Sequence, residues 1–273
     1  MLPVSEASDM PRIVQPDDFT TVLKSYQACQ HLVNCQACKR TVETEILREA
    51  AVYKYIPPHP QILYCYGLEE TRDPGVHGLR FEFTRFGDVR TFIRQTRESP
   101  PPMETRLRMS VDVAKGLSHL HSQGVQHCDL SCRNLYLFKE YRVKIGNLSG
   151  GMVAGNDELK PVVREEAAFE LPLRGRAFKD RPVRARELFA LGSTLYEILF
   201  WEHPCDGYRD HEITFLFELG YFPHTGTTKD LFHRCWFEKY QSADELVTTL
   251  ESMLARLPRL FRSDTAWDNG GPA

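Results

Sequence analysis

The stretch that decides the fold reads His127-Cys128-Asp129-Leu130-Ser131-Cys132-Arg133-Asn134. Its most informative positions are Asp129, a carboxylate, and Asn134, an amide five residues further on. The segment before it, Met103–Ser122, repeats apolar residues at helical spacing and predicts a long amphipathic helix. Two short apolar segments after it predict a β-hairpin between residues 135 and 145. The stretch therefore lies on a loop between a helix and a hairpin, and this order makes it far more specific than an isolated His-x-Asp.

The residues on the amino-terminal side predict a small part rich in strands. Short β-type segments at Arg12–Gln15 and Thr20–Lys24 precede a helical pattern from about Val42 to Tyr55. Two further strands are predicted at Ile62–Leu68 and Leu79–Phe83. This part of the chain therefore combines short strands with one helix.

The residues on the carboxyl-terminal side predict a larger, mainly helical part. A stretch of roughly forty residues rich in Gly, Pro and charge follows the hairpin, and its length predicts a functional loop. Leu188–Trp201 is apolar almost all round and predicts a buried helix. Further helices are predicted at Lys229–Trp236 and Ser242–Leu257, and the polar residues 261–273 predict a disordered tail. The predicted fold class is α+β, with a β-rich lobe followed by a helical lobe.

Composition and charge narrow the range of functions. The chain has 273 residues, of which 42% are hydrophobic and 26% charged, as in an ordinary globular protein. A formal charge of −3 provides no long-range attraction to nucleic acid or anionic membrane. The start has no apolar run behind a basic cap, and no stretch reaches the length of a membrane span. We therefore expect a cytoplasmic protein with no nucleic-acid and no membrane partner.

The eight cysteines are interpreted as reduced thiols, because they are scattered through a chain long enough to fold without disulfides. One cluster, Cys29, His31, Cys35 and Cys38, has side chains that can bind zinc. The segment lacks the Gly or Pro of a tight turn and the distant second ligand pair of a structural zinc site. Small apolar residues near a helix start are therefore the favoured interpretation.

The stretch 127–134 resembles the catalytic loop of protein kinases, especially its tyrosine-kinase-like form. Val22-Leu23-Lys24 resembles the third-strand lysine motif, and Glu49 matches the helix glutamate that pairs with that lysine. Phe81-Glu82-Phe83 resembles the hinge, with Phe81 as a bulky gatekeeper. The resemblance implies a two-lobed kinase-like domain over residues 12–260, with an N-lobe at about 12–83 and a C-lobe at about 87–260.

The resemblance also implies roles for individual residues. Asp129 matches the base that orients the acceptor hydroxyl, and Asn134 matches a magnesium ligand. Lys24 and Glu49 match the ion pair that places the phosphates of ATP. Glu82 and Phe83, at the hinge, match residues that bind the nucleotide. Two structural alternatives stay open, namely that Asp129 and Asn134 only brace the loop and that Lys24 is a solvated surface lysine.

Two departures from the kinase pattern concern phosphate and metal. Where the family has Asp-Phe-Gly, this chain reads Asn147-Leu148-Ser149, and a neutral amide is a poor ligand for a hard cation. No glycine precedes Gly67, so no Gly-rich phosphate-covering loop precedes Lys24, and only 23 residues stand before that lysine. The resemblance therefore implies a truncated N-lobe, weak binding of ATP and a degraded magnesium site. A Gly-rich strand pair upstream in the same frame would favour an active kinase.

The elements that regulate kinases by phosphorylation are also missing. Cys128 occupies the position of the arginine that would hold a phosphate, and no Ser, Thr or Tyr lies between Ser149 and Ser193. The Ala-Pro-Glu that ends the family's activation segment is absent together with its partner arginine. Glu187 replaces the aspartate that braces the catalytic loop.

One feature is additional to the kinase pattern, namely a basic stretch in which six cationic residues occupy thirteen positions. Its members are Arg174, Arg176, Lys179, Arg181, Arg184 and Arg186. They predict a surface for an acidic or phosphorylated protein partner, and a solvated loop is the alternative.

Two functions remain open. The favoured one is a pseudokinase that acts as a binding or scaffolding module and binds ATP weakly or without metal. The alternative is a slow but genuine ATP-dependent protein kinase that phosphorylates Ser/Thr or Tyr and uses Asp129 and a single magnesium ion on Asn134. Phosphorylation of the activation loop would not control this kinase.

Overall fold

The computed structural model describes residues 13–14, 20–25, 36–71, 77–162 and 165–260. The amino-terminal part contains one antiparallel sheet with the strand order β1-β2-β4-β3 and one helix that packs against it. Its elements are β1 (Ile13–Val14), β2 (Thr21–Lys24), α1 (Gln36–Tyr53), β3 (Cys65–Glu70) and β4 (His77–Glu82).

A small apolar core joins helix α1 to the sheet. Ile46 and Ala50 are one turn apart on α1 and meet Leu79 and Phe81, which alternate on β4. Because every second residue of a strand faces the same side, β4 buries these two side chains against the helix. This core fixes the face of α1 that carries Glu49.

The carboxyl-terminal part is built from six helices and two small β-ribbons in the described part of the chain. Its helices are α2 (Val89–Gln95), α3 (Met103–Ser122), α4 (Val183–Phe200), α5 (Asp210–Glu218), α6 (Lys229–Trp236) and α7 (Ala243–Leu260). One ribbon pairs β5 (Val125–Gln126) with β8 (Met152–Val153), and the other pairs β6 (Leu135–Leu137) with β7 (Val143–Ile145).

Helix α4 lies at the centre of this larger part. Fourteen of its residues are buried, in line with the mostly apolar stretch that predicted a buried helix. Gly192 lets α6 approach closely, because a Cβ at this position would lie 2.5 Å from the Cβ of Cys235. The buried helix provides a rigid base for the loop between β5 and β6.

The architecture confirms the predicted α+β fold with a small strand-rich part and a larger helical part. Several boundaries differ: α1 begins before Val42, α4 begins before Leu188, and β3 starts at Cys65 instead of Ile62. Ile62 makes only an isolated bridge to Ile145, so it joins the sheet to the hairpin. Helix α5 has no counterpart in the sequence prediction.

Some sequence predictions lie outside the described residues. They are the disordered tail at 261–273 and three members of the candidate zinc cluster, Cys29, His31 and Cys35. Among the described residues, no group of three or more His, Cys, Asp or Glu is arranged to hold a metal ion. No helix in the described ranges combines the length and hydropathy that crossing a bilayer requires.

Candidate functional site

The loop between β5 and β6 is held from below by helix α4. The backbone N–H groups of His127 and Cys128 each donate to a carboxylate oxygen of Glu187 at 2.8 Å. Cys128 has a φ of 62°, a left-handed conformation that turns both N–H groups toward the same carboxylate. The longer Glu187 therefore braces this loop, as predicted.

Asp129 is buried and both of its carboxylate oxygens accept hydrogen bonds from the chain itself. Arg133 Nη2 lies 2.5 Å from Oδ1, and Asn134 Nδ2 lies 3.0 Å from Oδ2. Burial raises the pKa of Asp129, while the charges of Arg133 and His127 oppose that rise. The predicted base is thus an internally paired carboxylate.

Asn147 joins two other predicted site residues through its amide. Its Oδ1 accepts a hydrogen bond from Lys24 Nζ at 2.8 Å, and its Nδ2 donates to Asn134 Oδ1 at 2.8 Å. Asn147 has φ 56° and ψ 60°, a left-handed conformation that asparagine tolerates better than most residues. The two side chains implied as magnesium ligands are therefore bonded to each other.

Lys24 also pairs with Glu49, at 2.6 Å, and the glutamate is completely buried. The other carboxylate oxygen of Glu49 accepts the backbone N–H of Leu148 at 2.9 Å. Helix α1 is thereby tied both to strand β2 and to the segment after β7. The alternative interpretation of Lys24 as a solvated surface lysine is wrong.

The donor set does not fit a magnesium ion. Mg²⁺ prefers anionic and carbonyl oxygens in octahedral geometry. Here the amide oxygen of Asn134 already accepts an N–H, and the amide oxygen of Asn147 already accepts the charged Lys24 amine. Neither side chain carries a charge, and the carboxylate bonded to Asn134, that of Asp129, also pairs with Arg133.

The cleft between the sheet and the hairpin is small and mainly apolar. It leaves a cavity of about 60 Å³, whereas ligand pockets measure roughly 300–1,000 Å³. The lining residues are Val22, Lys24, Glu49, Leu63, Phe81, Glu82, Phe83, Thr84, Gly87, Tyr136 and Asn147. Six of the seven predicted site residues meet at this cleft or directly beside it, and Asp129 lies behind Asn134.

The predicted hinge residues line the cleft, but their N–H groups bond to the chain. The N–H of Glu82 donates to Tyr64 O at 3.0 Å, and the N–H of Phe83 donates to Thr20 O at 2.9 Å. The Glu82 carboxylate forms an ion pair with Lys144 at 2.7 Å. The two N–H groups therefore stabilise the strand-rich part, and the Glu82 carboxylate connects it to the hairpin.

A residue that sequence reasoning missed, Glu166, anchors the long loop before α4 to the catalytic loop. Its carboxylate lies 2.6 Å from Arg90 Nη1 and 2.8 Å from Arg133 Nη1. Burial opposes ionisation of Glu166, but the hydrogen bond from His203 and the charges of Arg90 and Arg133 lower its pKa to about 2. The long loop before α4, which has no Ser, Thr or Tyr between Ser149 and Ser193, is therefore held to the catalytic loop by the carboxylate of Glu166.

Arg48 fastens the same loop from helix α1. Its guanidinium donates to Ser149 O at 2.9 Å and to Gly151 O at 2.6 Å. No local sequence signal marks Arg48 or Glu166, because each acts through a partner distant in the chain.

The prediction that the basic stretch is one docking surface needs correction, because four of its arginines are used inside the protein. Arg174 lies over the Phe222 and Phe237 rings, Arg176 pairs with Glu238, Arg181 pairs with Glu170, and Arg186 pairs with Glu165. Arg181 and Arg186 are buried. Only Lys179 and Arg184 of the six are exposed.

Comparison with known proteins identifies a family that matches most of the chain. Residues 20–245 match the family described as protein tyrosine and serine/threonine kinase. The chain is 28% identical over 247 residues to the mouse serine/threonine-protein kinase LMTK3, covering 79% of this chain and 17% of that protein. It is 29% identical over 144 residues to the Arabidopsis thaliana serine/threonine/tyrosine-protein kinase HT1, covering 51% and 35%.

A third relative is the Xenopus laevis tyrosine-protein kinase receptor TYRO3, which is 29% identical over 191 residues. That match covers 64% of this chain and 21% of the receptor. The chain therefore spans between about a sixth and about a third of the length of these three relatives.

Proposed function

The chain belongs to the protein tyrosine and serine/threonine kinase family, and on that premise we propose that it is a pseudokinase, a kinase-fold module that binds a protein partner without efficient magnesium-dependent phosphoryl transfer. The domain is proposed to extend over residues 12–260. Kinase catalysis depends mainly on the placement of phosphates and metal, so the proposal concerns the groups that would perform this placement.

The observation that carries the proposal is the bridging amide of Asn147. One side chain satisfies Lys24 and Asn134 together, at 2.8 Å each, without any cation. Mg²⁺ bound to these two side chains would compete with both hydrogen bonds for the amide oxygens and would gain only neutral oxygens from them. The site is thus stable in a metal-free arrangement.

The state of Asp129 supports the same conclusion. A general base must accept a proton from a substrate hydroxyl within hydrogen-bond reach. Here Arg133 and Asn134 occupy both carboxylate oxygens, and Glu166 holds Arg133 in place. A substrate hydroxyl would therefore compete with this network for the remaining lone pairs of the carboxylate.

The partner is proposed to be a protein, with Lys179 and Arg184 as the exposed cations available to an acidic or phosphorylated segment. The four other members of the basic stretch contribute to folding through their internal ion pairs and ring contacts. This restricts the proposed surface to one position shortly before helix α4 and one in its first turn.

A phosphoryl-transfer assay tests the proposal. The purified protein is incubated with radiolabelled ATP and Mg²⁺, alone and with a generic protein substrate, beside an Asp129→Ala variant. We expect equal background label in both proteins. Label that appears in the wild type and disappears in Asp129→Ala would overturn the proposal.

The second candidate, a slow protein kinase, is favoured by one observation. Lys24 and Glu49 form a buried ion pair at 2.6 Å, and Glu49 also holds the N–H of Leu148. This contact positions helix α1 as phosphate placement requires. The same assay separates the two candidates, because only the slow kinase predicts transfer that depends on Asp129.

A further inference from the structure

The hairpin strand β6 places an aromatic side chain in the cleft where the family binds a nucleotide base. Tyr136 lies on β6 between Leu135 and Leu137, both of which are buried in the larger core. Because strand residues alternate between faces, Tyr136 points the other way, toward the sheet. It packs against the small core that joins α1 to the sheet.

The backbone below the cleft is shaped to accept this ring. A Cβ on Gly146 would lie 2.7 Å from Cε2 of Tyr136 and 3.0 Å from Cδ2 of Leu63. Only a residue without a side chain therefore fits beside the ring at this position. Val22 and the bulky Phe81, which is 3% exposed, also line the cleft.

The space that remains is too small for a purine. The cavity of about 60 Å³ is a fraction of the roughly 300 Å³ at the lower end of ligand pockets. Two backbone donors at the cleft are also engaged, since the N–H groups of Glu82 and Phe83 donate to Tyr64 O and Thr20 O.

We propose that Tyr136 is a built-in occupant of the base cleft, which fills the space between Val22, Phe81 and Gly146 and excludes adenine nucleotides whether or not metal is present. This inference rests on the proposed function and deepens it, because it replaces weak nucleotide binding by exclusion. The ring joins the two parts of the domain through apolar contacts, a connection that a bound base would otherwise make.

Adenosine is the probe that tests this inference, because it has the base and the sugar but no phosphate and needs no metal. Binding is measured by isothermal titration calorimetry with the wild type, Tyr136→Ala, Tyr136→Leu and Tyr136→Phe. The Phe variant is the matched control, since it keeps the ring and loses only the hydroxyl. The Leu variant covers the case in which Tyr136→Ala does not fold.

We expect no measurable heat with the wild type and with Tyr136→Phe. The Ala or Leu variant is expected to bind adenosine about tenfold or more tightly than the wild type, because the opened apolar space buries the base. Equal affinity in wild type and opened variants, or equal absence of binding in a folded opened variant, overturns the inference.

The outcome separates this inference from the proposed function. Adenosine binding by the wild type without Asp129-dependent transfer of label would remove the inference and leave the proposed function standing. Asp129-dependent transfer of label by the wild type would remove both, because ATP must enter the cleft to donate its phosphoryl group.

Discussion

Replacing Asn147 with aspartate restores the charge that the metal position lacks, and the structure defines its consequence. In the wild type, Asn147 Nδ2 donates to Asn134 Oδ1 at 2.8 Å. The aspartate has an oxygen in place of that nitrogen, so two acceptors would face each other. Asn134 cannot turn to relieve the contact, because its own Nδ2 donates to Asp129 O at 2.6 Å and to Oδ2 at 3.0 Å.

The size of the effect follows from one lost hydrogen bond between the half-buried Asn147 and the buried Asn134. Leaving a buried acceptor unsatisfied costs about 1–3 kcal/mol. For a chain of this size each kcal/mol lowers Tm by about 2–4 °C, so Asn147→Asp without metal should melt roughly 2–12 °C lower than the wild type. A divalent cation between the two oxygens removes the conflict, and saturation at 100 times Kd returns about 2.7 kcal/mol.

Thermal unfolding is followed by circular dichroism without metal and with about 10 mM Mg²⁺. The first measurement gives the loss of Tm, and the second gives the part of it that the metal restores. The matched control is Asn156→Asp, which makes the same chemical change in the same segment, where Asn156 donates to Tyr55 Oη at an exposed site. We expect a magnesium response in Asn147→Asp alone. An Asn147→Asp variant with wild-type Tm and no magnesium response refutes the reasoning, because Asn134 and Asn147 would then not form a coupled pair.

Two further predictions concern charges that the structure buries. Lys24→Met leaves the fully buried Glu49 without its cation, so the free energy of unfolding in urea should fall by about 3–5 kcal/mol. Lys115→Met, which removes a half-exposed surface ion pair, should change it by about 0–1 kcal/mol, and equal losses would contradict the assignment. The pKa of Glu166, lowered to about 2 from 4.5, predicts stabilisation that is complete above pH 4.5 and disappears as pH falls toward 2. Glu166→Gln should therefore be less stable than wild type by roughly 3 kcal/mol at pH 7, with the difference shrinking at pH 3.5, and a pH-independent difference would show that Arg90 does not hold a charged carboxylate.

The linear sequence was sufficient for the fold, whereas the roles of the predicted site residues stay predictions. The spacing of Asp129 and Asn134 on a loop between an amphipathic helix and a hairpin is a local pattern, and local patterns follow from helix and strand periodicity. The loss of charge at Asn147 and the absence of hydroxyl residues after Ser149 are equally visible without coordinates. Exact boundaries were less predictable, and Cys65, where β3 begins, depends on pairing with β4.

Only the tertiary structure decided how the site residues are used. Lys24 and Asn147 are 123 positions apart, and Arg90 and Glu166 are 76 positions apart, so no periodicity connects them. Tyr136 is a similar case, because its place in the lining of the cleft depends on how the hairpin packs against the sheet. Side-chain partners across a fold depend on the packing of whole elements, and buried polar groups pair with whatever that packing brings within hydrogen-bond distance.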